Sequence, residues 1–212
     1  MPVALVISAP SGAGKTTLVK RLLALEPSVD FAVSVTTRPR RQMEADGRDY
    51  RFVTEDEFKG MIDRDELLEW AGVFGNRYGT PRSALDSARR RGRDILLDID
   101  VQGASSLKGR VPEAVTVFVL PPSRQVHESR LRSRSTEDEG SLRTRLGEAA
   151  AEIGRCMQFE HVVINEDLDE AAAVLQSILV AARARRSRMM PRILPILKEF
   201  GVSSRPNEEV LK

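Results

Sequence analysis

The apolar segment Val3-Ala4-Leu5-Val6-Ile7 runs into Ala9-Pro10-Ser11-Gly12-Ala13-Gly14-Lys15-Thr16-Thr17, and Leu18, Leu22 and Leu25 follow at helical spacing. Strand, glycine-rich turn, helix: this order constrains the fold more than any other part of the chain. Such a turn aims successive backbone N–H groups at an anion, and the following helix adds positive potential at its N-terminus. Lys15 is placed to reach the β- and γ-phosphates of a nucleoside triphosphate, and Thr16 to offer its hydroxyl to Mg²⁺. One position departs from the usual phosphate-loop pattern, which begins with glycine where this chain has Ala9. An ordinary glycine turn would leave Lys15, Thr16 and Thr17 at the helix start without a purpose.

The chain has 212 residues, of which 41% are apolar, enough for one α/β domain with an insertion or for two small domains. No apolar run approaches the roughly 20 residues of a membrane span. The first apolar run has no basic segment before it, so no signal peptide is expected. Cys156 is the single cysteine, which excludes an internal disulfide, fits a reducing, cytoplasmic compartment, and reads as a core residue on a helix face. No Cys/His cluster suggests zinc. With 33 basic and 31 acidic residues, placement of charge matters more than its sum.

Five short segments rich in branched apolar residues read as parallel strands covered on both faces: 4–7, 31–35, 95–97, 115–120 and 162–164. Helical patterns lie between or after them at 17–24, 83–91, 123–133, 142–157 and 168–186. This alternation predicts an α/β fold with a doubly wound five-stranded parallel sheet, and ligands at the carboxyl ends of its strands. The glycine-rich turn, residues 34–38 and Asp98-Ile99-Asp100 all fall at such ends. The stretch from Thr36 to Arg82 breaks the rhythm. It carries an Asp46-Gly47 turn signal and most of the aromatic residues, and reads as an inserted lobe of short strands with a helix near 55–63. Trp70 is expected to pack within that lobe. Pro191 and Pro195 are expected to break any helix beyond Arg186.

A second anion site is expected near the first. Ser34-Val35-Thr36-Thr37-Arg38-Pro39-Arg40-Arg41 supplies arginine forks suited to bidentate phosphate contacts. Tyr50 and Tyr78 supply hydroxyl donors that add no charge. Taken singly, the arginines could be a solvated loop and the tyrosines core packing; together in one lobe they favour a phosphate site. Glu69 lies in Leu67-Leu68-Glu69-Trp70-Ala71, where an unpaired carboxylate is costly. A guanine offers it two parallel donors, N1–H and the 2-amino group, and adenine offers neither. A surface glutamate or a local salt bridge is the plainer alternative.

With these pieces in order, the chain resembles the guanylate kinases over about residues 3–186. The matching runs are 8–16, Ser34 through Arg41, Tyr50, Glu69, Tyr78-Gly79-Thr80-Pro81, Asp98-Ile99-Asp100-Val101-Gln102-Gly103, Arg130 through Glu137 and Val163-Ile164-Asn165. The resemblance implies a P-loop core at 1–33, 82–125 and 147–186, a GMP-binding lobe at 34–81 and an arginine-rich lid at 126–146. Residues 187–212 form an extension without an assigned role. It also implies Mg²⁺-dependent transfer of the ATP γ-phosphoryl group to GMP or dGMP. Residues Ala9, Pro10, Ser11, Gly12, Ala13, Gly14, Lys15, Thr16 and Thr17, with Asn165 near the adenine, would bind ATP. Ser34, Arg38, Arg41, Tyr50 and Tyr78 would hold the GMP phosphate, and Glu69, Thr80 and Asp100 would read its base. Thr16, and Asp98 through water, would position Mg²⁺. Lys15, Arg38, Arg134 and Arg145 would carry the transfer, with Arg134 and Arg145 as lid arginines.

The chain departs from the family pattern at Met43, at Ser133 and Ser135 around Arg134, and at Gly140. Met43 would force a different loop if the usual glycine there supplied a positive φ. Two rival readings are a protein-binding module on the same fold and a kinase for a phosphorylated sugar. The intact Lys15 and Thr16 speak against the first, and Glu69 with Thr80 against the second. The run Arg183-Ala184-Arg185-Arg186-Ser187-Arg188 reads as a solvated basic helix end, so neither nucleic acid nor membrane is an expected partner. Self-association is left open. His127 reads as structural, without a nucleophile or carboxylate around it.

Overall fold

The computed structural model describes residues 2–73, 75–134, 146–147 and 149–202. The first strand, β1 (Ala4–Ser8), is buried along its whole length, as a central strand of branched residues must be. Helix α1 (Lys15–Leu25) follows the turn and lays Leu18 and Leu22 on the sheet. The remaining parallel strands are β2 (Val29–Phe31), β7 (Asp94–Asp98), β8 (Val115–Leu120) and β9 (His161–Ile164), in the order β2-β7-β1-β8-β9.

Side chains alternate across the faces of β1 and build two cores. Leu5 and Ile7 pack with α1 and with Leu175 and Leu179 of α6 (Leu168–Arg183). Ala4 and Val6 face the other way, toward Leu85 and Ala88 of α3 (Arg82–Arg91) and Ala104 and Leu107 of α4 (Val101–Lys108). Helices on both faces make the three layers of the doubly wound fold. Helix α5 (Arg124–Arg134) follows β8.

A separate mixed sheet orders β4 (Arg51–Phe52), β3 (Val35–Thr36), β6 (Asn76–Pro81) and β5 (Leu67–Val73). Helix α2 (Glu55–Asp63) covers it, capped by Thr54 and Glu57 in a reciprocal box, and its Phe58 and Met61 join Val35 and Leu67 in a small core. Leu68 belongs to the other core, with Ile99, Ala104 and Leu107, so β5 is fastened to α4. The expected inserted lobe is thus a small sheet with its own interior.

Several expectations need correction. The segment 31–35 is not one strand. Phe31 ends β2 beside Leu96, whereas Val35 begins β3 beside Gly79, so the chain changes sheets between them. Both ends are apolar, Phe31 half-buried against one core and Val35 buried in another, which makes the join invisible to hydropathy. Helix α4 was not anticipated, although Asp100 caps it and Val101, Ala104 and Leu107 recur at helical spacing. The last long helix is two helices, since the backbone turns at Ala184 and Arg185 before α7 (Arg186–Glu199). Helix α7 continues through Pro191 and Pro195. Both prolines are solvent-exposed, and on an exposed face a carbonyl left without a helical donor is free to bond water. Of the helix expected at 142–157, residues 146–147 and 149–153 are helical, and 142–145 and 148 lie outside the described residues. The chain then turns at Gly154 into a 3₁₀ turn, Cys156–Gln158, which leaves Cys156 half-buried rather than on a helix face in the core. Trp70 packs in the lobe, but at its surface: it is 46% exposed, with the Arg77 guanidinium 5.9 Å from its ring centre.

The basic run is also not simply solvated. Arg183 bonds Asp94 and Glu26, Arg185 pairs with Glu160, and buried Arg188 donates to the Glu113 and Ala182 carbonyls. These arginines bind the C-terminal helices to the body. Among the described residues, no helix is long and apolar enough to cross a membrane.

Candidate active site

The turn after β1 folds as its glycines dictate. Gly12 and Gly14 have φ of 87° and 92°, a left-handed backbone that side chains with a Cβ resist. A Cβ on Gly14 would also meet the Asn165 amide, and one on Gly12 would meet Leu131. Ala9, the departure from the glycine pattern, needs no such freedom; it is buried and packs in the core beside Ala13.

Lys15 opens α1, and β7 lies beside β1 with Asp98 opposite Ile7. Lys15 Nζ therefore meets the Asp98 carboxylate at 2.5 Å and donates to the Ile99 carbonyl at 3.0 Å. Burial pulls the Lys15 ammonium down most strongly, but the Asp98 charge and hydrogen bond, with help from Tyr50 and Asp100, outweigh it and leave its pKa raised. The lysine stays charged at the mouth of the turn. Thr16 stands next to it on the exposed first turn of α1.

Thr16 and Asp98 offer hard oxygen ligands, the donor chemistry that suits Mg²⁺. Among the described residues, no group of three or more His, Cys, Asp or Glu gathers around a metal position. A magnesium ion binds without such a cage when phosphates and waters complete its shell, so the residues present fit that ion.

The lobe presents a second polar cluster. Arg38 lies 5.4 Å from the Tyr50 ring centre and 5.7 Å from that of Phe52. The Tyr50 and Tyr78 rings meet edge to face at 6.0 Å. Burial first, then the charge of Asp98, pushes the Tyr50 hydroxyl up, which keeps it a neutral donor. Asp98 and Lys15 both act electrostatically on Tyr50, so Tyr50 lies near the glycine-rich turn. Ser34 is buried at the start of this loop, and its carbonyl accepts from Arg51 N at 2.9 Å. Arg41 is exposed. Met43 is 89% exposed, and Asp65 is the one non-glycine residue with positive φ among the described residues, so the loop around Met43 needs no left-handed backbone.

Glu69 lies on β5 and is 6% exposed. Thr80 Oγ1 of neighbouring β6 donates to Glu69 Oε1 at 2.6 Å. Burial pushes the Glu69 carboxyl up to about 7; the Thr80 hydrogen bond opposes this and the Asp100 charge adds to it. Asp100 caps α4 through Gly103 N at 2.6 Å, which uses one oxygen, and its Oδ2 is buried without a hydrogen-bond partner. Gly103 makes the approach possible, because a Cβ there would strike the Glu69 carboxylate. Glu69 is partnered by Thr80, and the buried, unpartnered Asp100 Oδ2 beside it calls for a ligand that donates.

The Guanylate kinase family model matches residues 1–182 of the chain. The chain belongs to the guanylate kinase family. The guanylate kinase of Nitrobacter winogradskyi is 48% identical over 184 residues, covering 86% of this chain and 84% of that protein. That of Bordetella pertussis is 45% identical and covers 92% of this chain and 91% of its own length. The crystal structure of guanylate kinase from Anaplasma phagocytophilum superposes with a TM-score of 0.79 at 35% identity, covering 95% of this chain and 97% of that one.

Within this guanylate kinase fold, Asn165 is 5% exposed, and its amide donates to the Ala13 carbonyl at 2.8 Å. That amide braces the back of the phosphate turn. Arg134 ends α5, and Arg145 lies outside the described residues, as do Ser135 and Gly140. Residues that sequence reasoning did not assign to the site also appear. His127 is structural as expected, and its task is specific. Its Nε2 donates to the Ser11 carbonyl at 2.6 Å, while Arg130 donates to the Ala13 and Asn165 carbonyls. Glu152 accepts from Ser11 N at 3.3 Å. Glu44 pairs with Arg38. The signal for His127, Arg130 and Leu131 was their spacing on one helical face next to the turn. Glu44 and Glu152 had no local signal, because each acts across a loop or between elements.

Proposed function

We propose the following division of labour for the phosphorylation of GMP by ATP, the activity of the family to which the chain belongs. The turn 9–17 binds the ATP phosphates through its backbone N–H groups, with Lys15 neutralising charge on the β- and γ-phosphates. Thr16, and Asp98 through water, hold Mg²⁺, which supplies charge neutralisation when bound. Asn165 contributes to the ATP site from behind the turn. Ser34, Arg38, Arg41, Tyr50 and Tyr78 receive the acceptor phosphate, and Glu69, Thr80 and Asp100 receive the base. The acceptor phosphate oxygen is already nucleophilic, so the site needs position and charge more than a general base. Arg134 and Arg145 act from the lid, whose closure excludes water from the reaction. A cytoplasmic setting and use of dGMP beside GMP complete the reading; nothing at the base site depends on the sugar.

The observation that carries the base assignment is the buried pair of acceptors, Glu69 and the Asp100 Oδ2, beside the Thr80 hydroxyl. Guanine presents N1–H and an amino group to them. Inosine monophosphate keeps N1–H and lacks the amine; AMP lacks both. A site that leaves buried acceptors unpaired rejects such analogues by about 10⁴-fold or more. In a coupled assay of ADP release, GMP and dGMP should turn over well, inosine monophosphate poorly, and AMP, CMP and UMP at background. Comparable turnover of GMP and AMP would overturn the base assignment.

A further inference from the structure

Arg38 is held on several sides, and its most consequential partner is a residue that the acceptor site does not yet include. Glu44 Oε1 accepts from Arg38 Nη2 at 2.7 Å. Its other oxygen, Oε2, accepts from the backbone N of Arg41 at 2.9 Å. Glu44 N in turn donates to the Arg41 carbonyl at 3.1 Å. One carboxylate thus ties a guanidinium to the backbone of the loop that carries it. The two side chains are 13% and 17% exposed, so among the described residues this pair is more sheltered than most ion pairs. Arg38 Nη1 donates to the Pro39 carbonyl at 2.8 Å, and the rings of Tyr50 and Phe52 lie within cation–π reach of the guanidinium.

A guanidinium has five N–H donors in a rigid plane. Glu44 and the Pro39 carbonyl take one each and fix that plane, the Tyr78 hydroxyl also bonds the guanidinium, and donors remain for a ligand. A free arginine side chain loses about 2 kcal/mol of rotamer entropy when it is fixed. An arginine already clamped by a carboxylate meets that cost before the ligand arrives. The Arg38 hydrogen bond, supported by the Arg41 backbone, holds the Glu44 carboxyl below its usual range, so the clamp is charged at neutral pH.

We propose that Glu44 is a positioning residue of the acceptor-phosphate site, orienting the Arg38 guanidinium and closing the loop 38–44 so that both are ready for the phosphate of the monophosphate substrate. This rests on the assignment of Arg38 to that phosphate. The alternative role for a carboxylate in this place is a competitor that the phosphate must displace. The second bond, to the Arg41 backbone, favours the positioning role, because it anchors Glu44 to the loop itself and does not depend on Arg38.

The test is a double-mutant cycle of E44Q and R38M, with steady-state kinetics for GMP and ATP and thermal midpoints for all four proteins. Glutamine is nearly isosteric but cannot accept from both Arg38 and Arg41 N with charge. E44Q should raise the KM for GMP about tenfold and leave kcat and the KM for ATP within about twofold, the pattern of lost uniform binding. In the R38M background it should add less than about twofold, because Glu44 then has no guanidinium to orient. E44D, which keeps the charge and shortens the reach, should also raise the KM for GMP. A lower KM for GMP in E44Q would make Glu44 a competitor and overturn the proposal. Effects of E44Q and R38M that multiply in full, or equal losses toward ATP, would overturn it as well. If R38M leaves the KM for GMP unchanged, the assignment of Arg38 itself falls, and this proposal with it; a large R38M effect beside a silent E44Q removes Glu44 alone.

Discussion

A carboxyl titrating near neutrality is the residue-scale feature with the clearest consequence. Glu69 is pushed up to about 7 chiefly by burial. An acceptor of two guanine donors must be ionised, so acidification below about pH 7 withdraws the form that binds. The KM for GMP should rise as pH falls from 8 to 6. The phosphate of GMP titrates nearby, with its second pKa about 6, so the contribution of Glu69 is the part of the pH dependence that disappears in E69Q. The stability effect has the opposite direction. The unfolded chain ionises Glu69 above its ordinary value of 4.5, whereas the folded chain keeps it protonated to about 7. The folded state therefore binds the extra proton, and its advantage shrinks as pH rises through that window. E69Q lacks this loss. Its thermal midpoint should exceed that of the parent at pH 8, and the gap should close toward pH 4.5. An unchanged gap across that range would contradict a buried, protonated Glu69.

Elements were legible where the signal was local and dense. Strand β1, the glycine turn and α1 succeed one another without a gap, and each confirms the next. Thr54 and Glu57 bracket the start of α2 in the same way. The reciprocal bonds there, Thr54 Oγ1 with Glu57 N at 3.2 Å and Glu57 Oε2 with Thr54 N at 2.7 Å, satisfy two donors that a helix start leaves open. Thr54→Ala should cost about 1 kcal/mol of stability in denaturant unfolding, while changing the KM for ATP little. Other elements were hidden by physics that does not run along the chain. The crossing between β2 and β3 lies in one apolar stretch because its two ends pack against different cores. Helix α4 is short, and the residues just before it, Asp98-Ile99-Asp100, read more easily as a strand end. Among site residues, Lys15 and Glu69 were legible as charges out of place in glycine-rich or apolar surroundings, and Arg38 as the first of a cluster of arginines. Glu44 was not, since its partner Arg38 lies across a loop and nothing in the intervening residues announces the pairing.

On the scale of the whole molecule, two sheets with separate interiors are joined where Leu68 of β5 enters the core of Ile99, Ala104 and Leu107. Leu68 is 2% exposed. Leu68→Ala should destabilise by about 2–5 kcal/mol, the range for removing a buried leucine, and because it loosens the joint it should raise the KM for GMP more than that for ATP. Equal effects on both substrates would mean that the joint does not control the lobe. The same joint carries Gly103, whose bare Cα lets helix and carboxylate touch. The Glu69 carboxylate comes from the small sheet and the Asp100 carboxylate from the cap of α4, so the two meet at the seam between the halves of the molecule. On the proposed reading, an acceptor base seated there would act as a keystone, touching both halves at once. A base of the wrong pattern would then leave unpaired atoms on both sides of the seam.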